Sequence, residues 1–120
     1  MGLDTSHDAW HGSYSTFNEW RTLVAAAAGF RPLREMRGFG GSRSWPDSPG
    51  DKRLVPLLHH SDCDGEIAAE MCGPIADALE LLMIEKMPAR ATYDEMRPAT
   101  ERFIAGLRRA AAAGEPVLFR

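Results

Sequence analysis

Apolar side chains recur at helical spacing in three stretches of the chain, and these set the expected architecture. In the first, Tyr14, Phe17, Arg21, Val24 and Ala28 follow a 3.6-residue period. They mark a helix from Ser13, over about 13–28, in which Thr16 and Glu19 have capping-box spacing and which Gly29 stops. In the second, Met71, Ile75, Ala78, Leu79 and Leu82 mark a helix over about 69–86, with Glu66 and Glu70 near its start, where the helix dipole favours carboxylates. Pro74 there predicts either a kinked opening turn or a later start. In the third, over about 92–113, Tyr93, Met96, Phe103, Ile104, Leu107 and Ala111 form the apolar face. Thr92 and Glu95 suit a second capping box, Pro98 a bend, and Gly114 the stop.

Between these stretches the pattern is weaker. LVPLL, at 54–58, is too short for periodicity to separate helix from strand. The closing EPVLFR reads as extended, with Val117 and Phe119 on one side. The expectation is therefore a mainly α, single compact domain over residues 1–120, with three principal helices, a long basic loop and at most a small amount of strand. The aromatic positions Tyr14, Phe17 and Trp20 read as core in preference to a ligand platform.

Residues 30–50 hold three prolines, four glycines and four arginines without sustained periodicity. From Arg31 to Arg53 there are six basic residues against three acidic ones, so the loop is locally cationic. Arg37 and Arg43 beside a Gly-Gly turn and Trp45 suit a phosphate-bearing ligand, held by guanidinium forks and a stacked ring. A solvated excursion is the competing reading. The FGGS turn lacks the lysine and the preceding strand of a phosphate loop.

The densest chemistry lies in HHSDCDGEIAAE, at 59–70, where two histidines, two aspartates, a cysteine and two glutamates fall within twelve residues. Carboxylates crowded on a loop turned by Gly65 repel one another unless a cation sits among them. Laid over a calcium-binding EF-hand loop, Asp62, Asp64 and Gly65 fall on its third, fifth and sixth positions. His60 and Met71 stand where its strongest carboxylate ligands belong. A mixed set of His60, Asp62 and Asp64 with His7 and His11 suits zinc, manganese, iron or nickel better than calcium. His7 and His11 are four apart, and a helical turn would place both on one face. Capping of the following helix by Asp62 or Asp64 is the structural alternative. Cys63 and Cys72, spaced C-x8-C, do not form a zinc-finger knuckle and read as reduced thiols or small core residues.

A net charge of −3 with a pI near 5.8 makes no strong case for nucleic acid. No apolar run reaches membrane-spanning length and the N-terminus lacks signal-peptide character, so the expected location is cytoplasmic.

GLDTSHDAWHGSYSTFNEWR, LLHHSDCDGEI, ERFIAGLRRA and the closing PVLF together resemble a small family of uncharacterised proteins of phages and bacterial genomes. The resemblance implies a context of host nucleotides or host proteins and assigns no residue a role. The leading expectation is a divalent-metal-binding protein, extending to a metal-dependent hydrolase of a phosphorylated small molecule or nucleotide. The alternatives are a non-catalytic binder that sequesters a nucleotide or blocks a host protein, and a structural or interaction domain. Turnover separates the first two.

Overall fold

The computed structural model describes residues 2–30, 35, 36, 41, 42, 44, 50–58, 65–85 and 91–119. It is mainly α with two small antiparallel ribbons. β1 (Gly2–Asp4) pairs with β2 (His11–Ser13) in the register Gly2 to Ser13 and Asp4 to His11, with a 3-10 turn over Ser6–Asp8 between them. Helix α1 (Tyr14–Ala27) follows directly. A 3-10 turn over Lys52–Leu54 leads into the short α2 (Val55–Leu58). Beyond the acidic loop come β3 (Glu66–Ile67), α3 (Ala69–Glu85), α4 (Ala91–Ala113) and β4 (Val117–Leu118). β4 pairs antiparallel with β3.

Helix α1 begins one residue after Ser13, where the pattern places its start, but its cap is Ser13 and not the Thr16 of the capping-box spacing. Ser13 is the N-cap and its Oγ accepts from the Thr16 amide at 3.1 Å. Strand pairing up to Ser13 leaves the chain extended there, so the helix starts at the next residue. Its other end is a Schellman motif: the Gly29 amide bonds the Ala26 carbonyl, the Phe30 amide bonds that of Ala25, and Gly29 takes a φ of 87°. The same two bonds recur at the end of α4, from Gly114 to Ala111 and from Glu115 to Ala110, with Gly114 at a φ of 67°. Both glycine stops read from the sequence are therefore real chain reversals.

Pro74 and Pro98 lie inside α3 and α4, and neither ends its helix. The core face of α3 comprises Cys72, Ile75, Ala76, Ala78, Leu79 and Leu82. Met71, expected on that face, is 43% exposed, because one helical step of about 100° separates it from Cys72. On α4, Ala110 is buried and Ala111 exposed, the same one-step difference. LVPLL resolves as helix, with Leu54, Leu57 and Leu58 buried.

Helices α3 and α4 share the most extensive interface and run antiparallel, with Arg108 of α4 reaching Asp77 of α3 at 2.9 Å and Glu80 one turn on. Against them lies an aromatic cluster of Trp10, Phe17, Trp20, Phe103 and Phe119, with ring centroids 4.8–6.4 Å apart. Phe17 and Trp20 are thus core, as read. The Trp20 Nε1–H donates to the Thr100 hydroxyl at 2.8 Å, and that hydroxyl donates to the Met96 carbonyl, so the polar edge of the buried ring is satisfied. Val117 and Phe119 turn inward and Leu118 outward, as the alternation in the tail requires. Among the described residues no helix is long and apolar enough to cross a membrane.

Candidate functional site

His7 and His11 do not share a helical face. Thr5 and Trp10 close a loop between them: the Trp10 amide donates to Thr5 Oγ1 at 2.8 Å and the Thr5 amide to the Trp10 carbonyl at 3.1 Å. His7 sits in the 3-10 turn at a φ of 58°, followed by Asp8 at 55°, while His11 opens β2. Two consecutive non-glycine residues in the left-handed region are costly, and such strain persists only where surrounding contacts impose it. Helix α4 supplies those contacts. Arg109 donates from Nε to the His7 carbonyl at 3.1 Å and again from its terminal nitrogen. Arg102 donates from Nε to the Asp8 carbonyl at 3.2 Å and grips the Asp8 carboxylate. Between the two arginines, Gly106 lets the turn close in, since a Cβ there would lie 2.4 Å from that of Ala9. Arg102 holds the Asp8 carboxyl below its usual range, chiefly through that hydrogen bond.

The imidazoles have carboxylate partners of their own. His7 Nε2 lies 3.2 Å from Glu115, and His11 Nδ1 lies 3.5 Å from Asp4 across the β1–β2 ribbon. Among the described residues no three or more His, Cys, Asp or Glu side chains converge on a common cation position. His60, Asp62 and Asp64, and Arg37, Arg43 and Trp45 of the basic loop, lie outside the described residues, as does Cys63.

Both ends of the acidic loop are nevertheless fixed. Beyond it, the Gly65 carbonyl accepts from the Phe119 amide at 2.9 Å, and β3 follows on β4. Phe119 in turn bridges to Thr5, and the Leu118 amide donates to Ser6 Oγ at 2.8 Å. The N-terminal segment, the C-terminal tail and the end of the acidic loop are therefore joined through one ribbon. Before the loop, Arg21 of α1 donates to the carbonyls of Leu57 and Leu58 at 3.5 and 3.4 Å, at the end of α2, where carbonyls lack partners within the helix. Arg21 is 2% exposed, with its guanidinium 4.8 Å from the centroid of the Phe17 ring and bonded to Asn18. A buried fixed cation thus holds the Leu58 carbonyl at the end of α2.

Arg21 enters the sequence pattern only as a position in phase, and that its charge is buried is what sequence reasoning missed. The signal was available: an arginine falls in phase with Phe17 and Val24 on an otherwise apolar face. Cys72, the other polarisable group nearby, is buried with its thiol 3.4 Å from the Ala68 carbonyl, and burial pushes its pKa up. That environment disfavours the thiolate that a ligand or nucleophile requires. Comparisons of the chain with protein-family models, with curated proteins and with solved structures found no match.

Proposed function

We propose that this is a divalent-metal-binding protein whose ion is taken by the acidic loop through His60, Asp62 and Asp64, with His7 and His11 in support. The supporting observation is the ribbon that joins the histidine-bearing N-terminal segment to Gly65 through Phe119 and Thr5. Thr5 and Phe119, at opposite ends of the chain, are tied there, a convergence that a simple helix cap would not need. Zinc, manganese, iron or nickel suits the mixed nitrogen and oxygen donors. A bound ion of this kind supplies hydrolytic chemistry by lowering the pKa of its water, and Arg37, Arg43 and Trp45 suit the phosphate and ring of a small-molecule or nucleotide substrate.

A second reading rests on the buried charge of Arg21. Here that fixed cation at the start of the loop needs no metal beside it, and the protein is a non-catalytic binder of a nucleotide or a host protein that uses the arginine loop and the histidine-bearing segments. Thermal melts of chelator-stripped protein with and without manganese or zinc separate the two. Under the metal reading the ion raises the wild-type Tm and leaves Asp62→Ala and Asp64→Ala unchanged, because only binding to the native state stabilises by mass action. Equal losses in both variants with and without metal discard the metal site and leave the binder. Phosphate release from a nucleoside triphosphate under the same metal then tests turnover.

A further inference from the structure

We infer that the cleft between the N-terminal turn and α4 is a binding site for a small monocarboxylate with a flat apolar body. The cleft measures about 240 Å³ and is lined by Ala9, Trp10, His11, Thr16, Pro98, Ala99 and Arg102. Its walls, Ala9, Trp10, Pro98 and Ala99, are apolar, and the polar side chains in its lining, Arg102, Thr16 and His11, can each donate a hydrogen bond. A small volume with apolar walls and converging donors fits a compact anion with one acceptor end.

Two features fall in the lining of this cleft and one adjoins it. The first is the Trp10 Nε1–H, which is buried and has no hydrogen-bond acceptor among the described residues, in contrast to the satisfied Trp20. An orphaned buried donor is disfavoured, and an incoming carboxylate oxygen would satisfy it. Gly12 leaves the approach free of a side chain, since a Cβ there would stand 3.5 Å from Nε1. Gly12 of β2 lies against that nitrogen, and a ribbon of three residues per strand is marginal by itself, so entry of the ligand requires β2 to shift at Gly12. The second is the left-handed pair His7 and Asp8, which does not line the cleft but directly precedes Ala9 of its wall. The third is that Arg102 already holds a carboxylate, that of Asp8, at the edge of the cleft. Asp8 is then an internal competitor for the ligand's carboxylate.

The test uses the full chain, labelled with nitrogen-15 and kept in chelator so that no metal site takes part. Its three tryptophans give three indole signals, and Trp10→Phe assigns the relevant one. Benzoate is the probe and acetate is the same charge without the apolar body. Benzoate is expected to shift the Trp10 indole signal saturably, and acetate at equal concentration to leave it in place. Arg102→Gln is expected to weaken benzoate binding by about tenfold or more, the loss of a charge-assisted hydrogen bond. Asp8→Asn keeps a residue tolerant of the left-handed backbone while removing the competing charge, and is expected to tighten binding. A merely structural role for the Asp8 and Arg102 pair would make both variants weaker. An unmoved indole signal, a shift equal for acetate, or weaker binding in Asp8→Asn overturns the inference.

Discussion

His7 and His11 stand four residues apart and carry the same side chain, yet they occupy opposite kinds of ground. The His7 side chain is 19% exposed, on a left-handed backbone gripped by Arg109, whereas that of His11 is 71% exposed on an ordinary strand. The difference arises outside both residues, in the close approach of α4. Gly106 admits the turn, and the arginines one turn before it and nearly one turn after hold the main chain where it would not otherwise rest. What spacing alone would treat as a pair of equivalent ligands is one anchored, largely covered position and one exposed one.

The largest effect expected from breaking this arrangement is at Gly106. Replacing an interior helical glycine by alanine ordinarily stabilises by about 1 kcal/mol. At Gly106 the new Cβ would meet the Ala9 Cβ at 2.4 Å and its backbone at 2.5 and 2.9 Å, contacts that no rotamer change relieves. Overpacking of that kind costs about 1–3 kcal/mol, so Gly106→Ala should be destabilised despite its better propensity. Gly73→Ala in α3, where nothing lies within 4 Å of the added methyl, should gain about 1 kcal/mol. Urea unfolding of both variants decides the matter: equal signs would mean that α4 does not clamp the turn.

A smaller effect should follow acidification. The folded-state pKa of Asp8 lies below its ordinary value of 3.8, chiefly because Arg102 bonds the carboxylate. A depressed pKa contributes stability that is fully present above 3.8 and is lost as the pH falls through the folded value. Asp8→Asn should therefore narrow the loss of stability between neutral pH and the range below 3.8, relative to wild type. Tm against pH for the two proteins checks this, and parallel curves would remove Arg102 from the clamp.

How far the sequence carried these conclusions depends on the kind of signal. The bounds of α1, α3 and α4 were legible to within a residue or two, because apolar phase and the two glycine stops act locally. Phase errors of one residue, at Met71 and Ala111, arose where neighbouring positions are both apolar and only packing chooses between them. The Ser13 cap was hidden because Ser13 and Thr16 are equally good caps, and the β1–β2 pairing selects between them. At the candidate site the donors of the acidic loop were legible as residue types, but the ribbon joining Thr5, Phe119 and Gly65 was not, since it depends on contacts across nearly the whole chain. Left-handed backbone at His7 and Asp8 left no trace either, for no glycine marks it.

The finest test of the contrast between the two histidines is a glycine at each. A left-handed backbone costs a non-glycine residue roughly 1–2 kcal/mol, a cost His7→Gly removes. Against that stand the greater chain entropy of glycine, about 0.5–1 kcal/mol, and loss of the partly exposed contact with Glu115, about 0–1 kcal/mol. The Arg109 bonds survive because they use the His7 carbonyl. These contributions nearly cancel, so His7→Gly should lie within about 0.5 kcal/mol of wild type. At His11 the backbone is not left-handed, so no strain is released, and His11→Gly should lose about 0.5–1 kcal/mol from the strand entropy. Chemical denaturation of both variants at neutral pH measures the difference. A loss at His7 equal to that at His11 would show that its backbone is unstrained and that the two positions are, after all, alike.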